Sequence, residues 1–409
     1  MSNQKPLRIM FYNDGFYSTT GYGRVAKELS TRLAKDKKYE VFNLNIIDKT
    51  PLRIDNNVTI LPTFGGRQDP VKSGYISSIV NTISMIQPDV FIPICDAFFI
   101  DRDGLNKINF GNRLKLMPYV PVDSNFLGKG SLPTFQKANR ILVQSEFGKQ
   151  EIEKEGFKAH VFRHGVNQEL FKPDTERRRV SRQRLGITDE KTFLFIGRNT
   201  KRKRIERLIR GFAIFIKNNP GVKVKLILHG SNFDEFANNI YERIDNEEKL
   251  FDIDILPHII FPYKDHQLSQ GVSEEKIIDL YHAADWTVSM SSGEGTGLMS
   301  LESFACGIPT IYPKNSNWKE ILGDESSTGF CERGLAVESI EDTFVGIGCT
   351  QPLSSYNDLA NKLLIAYNYP KESYELMREN ALEWVKENAN WDTIVQELKL
   401  HIRKVRNND

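Results

Sequence analysis

"SSGEGTGLMSLESFACGIPTI", residues 291–311, is the stretch on which the reading of this chain turns. It follows the β-rich run "WTVSM" (286–290) and passes through a small-residue loop into an apolar segment. Leu298, Leu301 and Ala305 fall on one helical stripe, Gly307 ends the helix and Ile308 follows. The first turn of a helix has unpaired N–H groups and a partial positive charge, so it attracts phosphate. Gly295 and Gly297 carry no side chain that would cover those amides. Glu294 stands before the helix and Glu302 within it. At ~1.5 Å of rise per residue they are too far apart to act as an acid/base pair on one bond. They suit the two ends of one ligand instead, each accepting from hydroxyls, with phosphate between. Either glutamate alone reads as a solvated charge. The pair, in a segment otherwise poor in charge, points to a polyol–phosphate–polyol, the chemistry of a nucleotide sugar.

Outward from this stretch the chain repeats one rhythm, short β-rich runs alternating with amphipathic helical segments. Strands are expected at 7–12, 40–46, 89–94, 114–120, 140–145 and 159–164, and a first helix at 24–34. The polar, basic run "KPDTERRRVSRQRLGITDEK" (172–191) interrupts the rhythm and reads as a linker. A second alternation follows, with strands at 192–197, 222–230, 258–263, 286–290 and 308–313 and helices at 204–217, 233–248, 274–283 and 298–306. The tail from about residue 355 is helical. The fold expected is α/β: two doubly wound parallel-sheet domains in series, a first at 1–173, a linker at 174–191 and a second at 192–389, with a last helix at 390–409. Ligands in such sheets sit beyond the carboxyl ends of the strands, which would put a cleft between the two domains.

Two further loops lie at such strand ends. In "GRNTKRKR", Gly197 ends a strand and the next helix places Ile205, Leu208, Ile209, Phe212, Phe215 and Ile216 on its apolar face. Arg198 and Lys203 occupy the loop itself, where cations would neutralise a diphosphate leaving group. The same basic run could mark a nucleic-acid patch, but no aromatic residue is interleaved among the charges. "STTGYGRVAKEL" follows the first strand, and Gly21 and Gly23 would let the backbone approach a ligand. It is not GxGxxG, so the dinucleotide fingerprint is absent.

The bulk numbers bound the class. A chain of 409 residues with 40% apolar and 26% charged content is long enough for two globular domains, and its net charge of +2 gives no global attraction to nucleic acid or membrane. Cys95, Cys306, Cys331 and Cys349 form no CxxC pair, which argues against zinc and redox motifs. The start, "MSNQKPLRIMFYN", is polar before it enters a strand, and no apolar run reaches the about 20 residues that span a bilayer. The expectation is a cytoplasmic protein. Peripheral contact with an inner membrane face stays open through the basic last helix (Lys399, Arg403, Lys404, Arg406), although the reading preferred for it is ordinary solvated charge.

With these loops in order, the chain resembles the retaining GT-B glycosyltransferases of family 4, often called group 1. "EEKIIDLYHAADWTVSMSSGEGTGLMSLESFACGIPTI" (274–311) is similar to that family's signature, including its two glutamates separated by seven residues. Arg198 and Lys203, five apart, fall where the family holds the donor diphosphate. Thr20-Gly21 matches the family's first-loop Gly-Gly with Thr in the first place, and "HGVNQELFKP" (164–173) is similar to its Asn-Gly-Val-Asp…Phe-x-Pro segment, with His164 and Asn167 replacing Asn and Asp. The resemblance implies transfer of a hexose from a UDP- or GDP-sugar to an acceptor hydroxyl with retention, without metal or other cofactor. Glu294 would hold sugar hydroxyls and Glu302 the ribose. Gly295, Thr296, Gly297 and Leu298 would supply backbone contacts, Pro262 and Tyr263 would flank the base, and the last helix, 390–409, would cross back to the first domain. Where the family often has a His-Asp pair, this chain has Val122 and Asp123, so Asp123 would meet donor or acceptor unless it only forms a turn. The acceptor stays open among glycan, lipid, protein and a modified nucleobase in DNA, and no obligate partner is implied. Two rival readings remain: a sugar-nucleotide 2-epimerase on the same fold, and a non-catalytic nucleic-acid-binding protein on a transferase scaffold.

Overall fold

In the computed structural model, the described residues are 5–47, 50–64, 74–105, 113–231, 239–269, 271–326, 329–345 and 348–407. They form two compact units. The first comprises Met1–Gly165, Val345–Cys349 and Trp391–Asp409, and the second Val166–Phe344 and Thr350–Asn390.

The first unit opens with β1 (Leu7–Asn13), α1 (Gly21–Leu33), β2 (Tyr39–Asn45), β3 (Arg53–Asp55), β4 (Val58–Leu61), α2 (Tyr75–Ile86) and β5 (Val90–Pro93). It continues through α3 (Ala97–Arg102), β6 (Lys115–Leu116), β7 (Tyr119–Val120), α4 (Leu132–Lys137), β8 (Ile141–Val143), α5 (Glu146–Lys154) and β9 (Ala159–Val161). Its main sheet has the order β3-β4-β2-β1-β5-β6, and β7-β8-β9 form a smaller one. All pairings are parallel except β3 with β4. β1 is central and covered on both faces, which is why Ile9 through Tyr12 run as an unbroken apolar series rather than alternating. The single strand expected at 114–120 is divided between β6 and β7, because Pro118 cannot donate to a ladder.

The second unit runs through α6 (Thr175–Arg184), β10 (Lys191–Ile196), α7 (Ile205–Asn218), β11 (Val224–His229), α8 (Ile240–Phe251), β12 (Ile259–Ile260), α9 (Asp265–Ser269), α10 (Glu274–Ala283), β13 (Trp286–Val288) and α11 (Leu298–Ala305). There follow β14 (Thr310–Pro313), α12 (Trp318–Leu322), β15 (Phe330–Cys331), β16 (Gly334–Val337), β17 (Ser339–Val345), β18 (Cys349–Ser354), α13 (Tyr356–Tyr367) and α14 (Lys371–Asn388). The sheet order is β12-β11-β10-β13-β14-β16-β15, parallel but for the β15 edge. The last helix, α15 (Trp391–Asn407), belongs to the first unit, where Trp391, Ile394, Leu398 and Ile402 join the core beside Ile9 and Leu29.

Residues 174–191, expected as a linker, are instead largely helix α6 and the start of β10, within the second unit. Asp174 caps the helix by accepting from the Arg177 N–H at 2.8 Å. Arg177 Nε reaches Asp279 at 2.7 Å, and Arg178 Nη2 reaches Asp285 at 2.6 Å. The segment looks like a linker because its docking uses guanidinium groups in place of an apolar stripe. The boundary between the units falls at Gly165/Val166, ahead of the expected 173. Of the helix expected at 233–248, residues 233–238 lie outside the described residues. Among the described residues no helix is long and apolar enough to cross a membrane.

Candidate functional site

β13 ends at Val288 and hands the chain to a buried loop in which Ser289, Ser291 and Ser292 are each nearly inaccessible. A buried loop must find partners for its polar backbone. Three consecutive residues after β14 supply them. Asn315 Nδ2 donates to the Ser291 carbonyl at 2.8 Å, Ser316 Oγ accepts from the Glu294 N–H at 3.0 Å, and Asn317 Nδ2 donates to the Thr296 carbonyl at 2.8 Å. Tyr312 in turn orients Asn317 through a 2.9 Å bond. Gly297 then takes φ +79°, a left-handed turn that favours glycine, and α11 begins at Leu298. No side chain caps this helix. Its first-turn amides therefore have no side-chain acceptor from the cap position.

Glu294 lies immediately ahead of that turn and is only 9% exposed. Lys203 Nζ meets its Oε1 at 2.5 Å and Arg202 Nη1 meets its Oε2 at 3.0 Å. Burial pushes the Glu294 carboxyl up, but the Arg202 and Lys203 cations more than offset this and hold it at about 2. It is therefore an anion at neutral pH. Arg202 also binds the Gly293 carbonyl, while its own carbonyl accepts from the Ser292 N–H at 2.8 Å. It thus clamps loop 291–294 by main chain and side chain together. The 3-10 turn Lys201–Lys203 and a left-handed Arg204, φ +51°, set these cations in place before α7 begins.

Glu302, on α11, is 4% exposed and accepts from the Tyr281 hydroxyl at 2.8 Å. Neither glutamate is a solvated surface charge. Arg198, expected beside Lys203, sits on the same loop with its side chain exposed; the residues that hold Glu294 are Lys203 and Arg202. Pro262 and Tyr263 follow β12 and are half-buried. The Tyr263 ring stands edge-on to His229 at 5.6 Å, and its hydroxyl donates to the Lys276 carbonyl at 3.3 Å. Burial pushes His229 down to about 4, so this ring is neutral.

The expected residues of the first unit have local roles. Thr20 caps α1, accepting from the Gly23 N–H at 3.2 Å and donating to Asp14 at 2.7 Å. Gly21 is the first helical residue. The expectation that Gly23 opens the backbone to a ligand is corrected: a Cβ there would stand 2.6 Å from the Gly15 carbonyl oxygen, so this glycine admits the chain's own loop. Asp123 accepts from Ser124 Oγ at 3.0 Å, while Val122 is buried in the core. His164 is likewise buried, paired with the Tyr119 hydroxyl at 2.5 Å, and burial pushes it down to about 3. Lys399, expected as a solvated or acceptor-facing charge, pairs with Asp36 at 3.0 Å. Sequence reasoning missed Arg202, Asn315, Ser316, Asn317, Tyr281 and Gln351, the last of which accepts from Ser292 Oγ at 3.1 Å. Arg202 was hidden within a basic run; the others come from segments whose approach no local pattern announces.

Residues 177–347 match the family described as glycosyl transferases group 1. A stretch of 224 residues, 53% of this chain, is 29% identical to 46% of the alpha-monoglucosyldiacylglycerol synthase of Streptococcus pneumoniae. The matches span less than half the length of the curated relatives. Sucrose-phosphate synthase from Thermosynechococcus elongatus has a similar structure, with a TM-score of 0.74 at 17% identity, over 98% of this chain and 99% of that one. Anabaena HepE in complex with UDP-glucose gives a TM-score of 0.72 at 13% identity, over 97% and 100% of the two chains.

Proposed function

We propose that this chain is a retaining hexosyltransferase using a nucleotide diphosphate sugar, a reading supported by the match of residues 177–347 to the group 1 glycosyltransferase family and by the GT-B, Rossmann-like α/β fold. The observation that carries the reading is the Lys203–Glu294–Arg202 cluster at the mouth of an uncapped helix. The donor diphosphate lies against the first-turn amides of α11, near Gly295, Thr296, Gly297 and Leu298. Lys203 has three N–H donors and can serve Glu294 and a phosphate oxygen together. With Arg198 it stabilises the charge that grows on the departing diphosphate. Glu294, ionised at neutral pH, accepts from hydroxyls of the transferred sugar. Glu302, oriented by Tyr281, accepts from the ribose. His229 and Tyr263 offer ring faces and edges at the end of β11 and β12 for the base.

The leaving phosphate takes the acceptor proton as the new bond forms on the same face, so the protein supplies orientation and charge and no covalent nucleophile. A carboxyl held at about 2 is a poor proton abstractor, which argues against the epimerase reading. The test is incubation with UDP-glucose and with GDP-mannose, each with and without a panel of acceptors, following release of the nucleoside diphosphate and the anomeric proton signal of the product. Acceptor-dependent release with retained configuration is expected. Conversion of the donor sugar without acceptor, or equal turnover by wild type and Glu294→Ala, would remove the assignment.

A further inference from the structure

Ser316, between β14 and α12, has φ +43°, in the left-handed region that a residue with a Cβ enters only against steric resistance. A second left-handed residue, Arg204 at φ +51°, borders the same loop and reaches Ser292 Oγ through its Nε at 3.3 Å. Such conformations persist only where the surrounding structure enforces them, and they gather where function depends on geometry. Ser316, Arg204 and the loop at 291–296 all lie in the second unit.

In an extended chain successive side chains point to opposite faces. Asn315, Ser316 and Asn317 nonetheless all reach one loop, at the Ser291 carbonyl, the Glu294 N–H and the Thr296 carbonyl. The left-handed residue in the middle turns the chain so that three consecutive side chains share one target. Its hydroxyl is committed in both senses. Oγ donates to Asn315 Oδ1 at 3.2 Å, which leaves a lone pair for the Glu294 N–H at 3.0 Å. Glycine at 316 would make the turn without strain but would remove this acceptor. Alanine would remove the acceptor and keep the strain. Glu294 is thus tied at both ends, its carboxylate by Lys203 and Arg202 and its backbone by Ser316. The two cations restrain the carboxylate, and the backbone tie sets where the side chain starts.

We propose that Ser316 is a positioning residue: its strained turn and its hydroxyl together fix the Glu294 backbone so that the carboxylate meets the transferred sugar, and local stability is lower for it. The inference rests on the transferase reading above and adds a residue to that site. The test compares Ser316→Gly and Ser316→Ala in the full chain, since both lose the hydroxyl and only glycine relieves the turn. Three quantities are read: the melting temperature, the affinity for UDP and GDP by calorimetry, and the rate of nucleoside diphosphate release at saturating UDP-glucose or GDP-mannose with the same acceptor panel. The glycine variant should melt about 2–4 °C above the alanine variant. Release should be about tenfold slower than wild type in both, because the carboxylate is no longer held in its productive place. Nucleotide affinity should stay within about twofold of wild type, because the nucleotide carries no transferred sugar for Glu294 to hold. A purely structural role would instead make release follow stability, with glycine recovering above alanine. That result, release at the wild-type rate in either variant, equal melting of the two, or nucleotide affinity falling in step with release would overturn the proposal. Failure of the wild type itself to release diphosphate from either donor tells against the transferase reading, whatever the variants do.

Discussion

Glu294 is where the chemistry of a single residue is most exposed to test. It is a buried carboxylate whose ionised form depends on two neighbours. In Glu294→Gln the two cations lose their anion in a partly buried place, and stability should fall by about 2 kcal/mol, less than a fully buried pair would lose because Lys203 and Arg202 keep some solvent. Turnover should fall by about 10²- to 10³-fold. Urea denaturation and donor turnover measure the two effects separately. Arg202→Met makes a finer prediction. Removing one cation raises the Glu294 pKa, so the acid limb of the kcat/KM profile should move to higher pH, while Lys203 keeps the site charged. An acid limb that does not move would mean that Arg202 only braces the loop.

Helix α6 shows how an element can disguise itself. It is rich in arginine and nearly free of apolar side chains, yet it is docked through Asp279 and Asp285. Asp285 also accepts from the Thr192 N–H at 2.7 Å, so one carboxylate ties α6 to β10. Trypsin should therefore spare Arg177, Arg178 and Arg182 in the native protein, whereas a linker of that composition would be cut first. Asp285→Ala should bring cleavage at these sites forward, as read by mass spectrometry of a time course. Helix α1 offers a second test. Gly23→Ala would force a methyl group against the Gly15 carbonyl and should cost about 1–3 kcal/mol, whether or not the loop binds a ligand.

For the whole molecule, three histidines with depressed pKa values, one buried and two half-buried, contribute to the response to acid. His164 titrates at about 3 and His160 and His229 at about 4, against an ordinary value of 6.5. Each binds its proton more readily when the chain is unfolded. Their contribution to stability is complete above pH 6.5 and is lost as pH falls toward 4 and then 3. Glu294, depressed from 4.5, adds a loss in the same direction between 4.5 and 2. The melting temperature should fall steeply between pH 6.5 and 4, and His164→Asn should flatten that fall. An unchanged pH dependence in the variant would show that His164 is not a principal source.

The sequence by itself determined the alternation of strands and helices, the two α/β units, the strand–loop–helix around Gly297 and the presence of Lys203, Glu294 and Glu302 near it. These follow from hydrophobic periodicity and from glycine and carboxylate placement, which act over a few residues. Tertiary structure alone decided that α6 is docked rather than loose, that Gly23 serves packing, that Arg202 joins Lys203 on Glu294, and that Asn315, Ser316 and Asn317 brace the loop. It also decided the short hairpin β3–β4, the strands β15 and β16 at one end of the second sheet and the separate β17–β18 pair, which the periodicity did not announce. Ion pairs and hydrogen bonds join residues about 90 positions apart, as between Lys203 and Glu294, and such partnerships leave no trace in local spacing because the backbone path that closes them is set by the packed sheet.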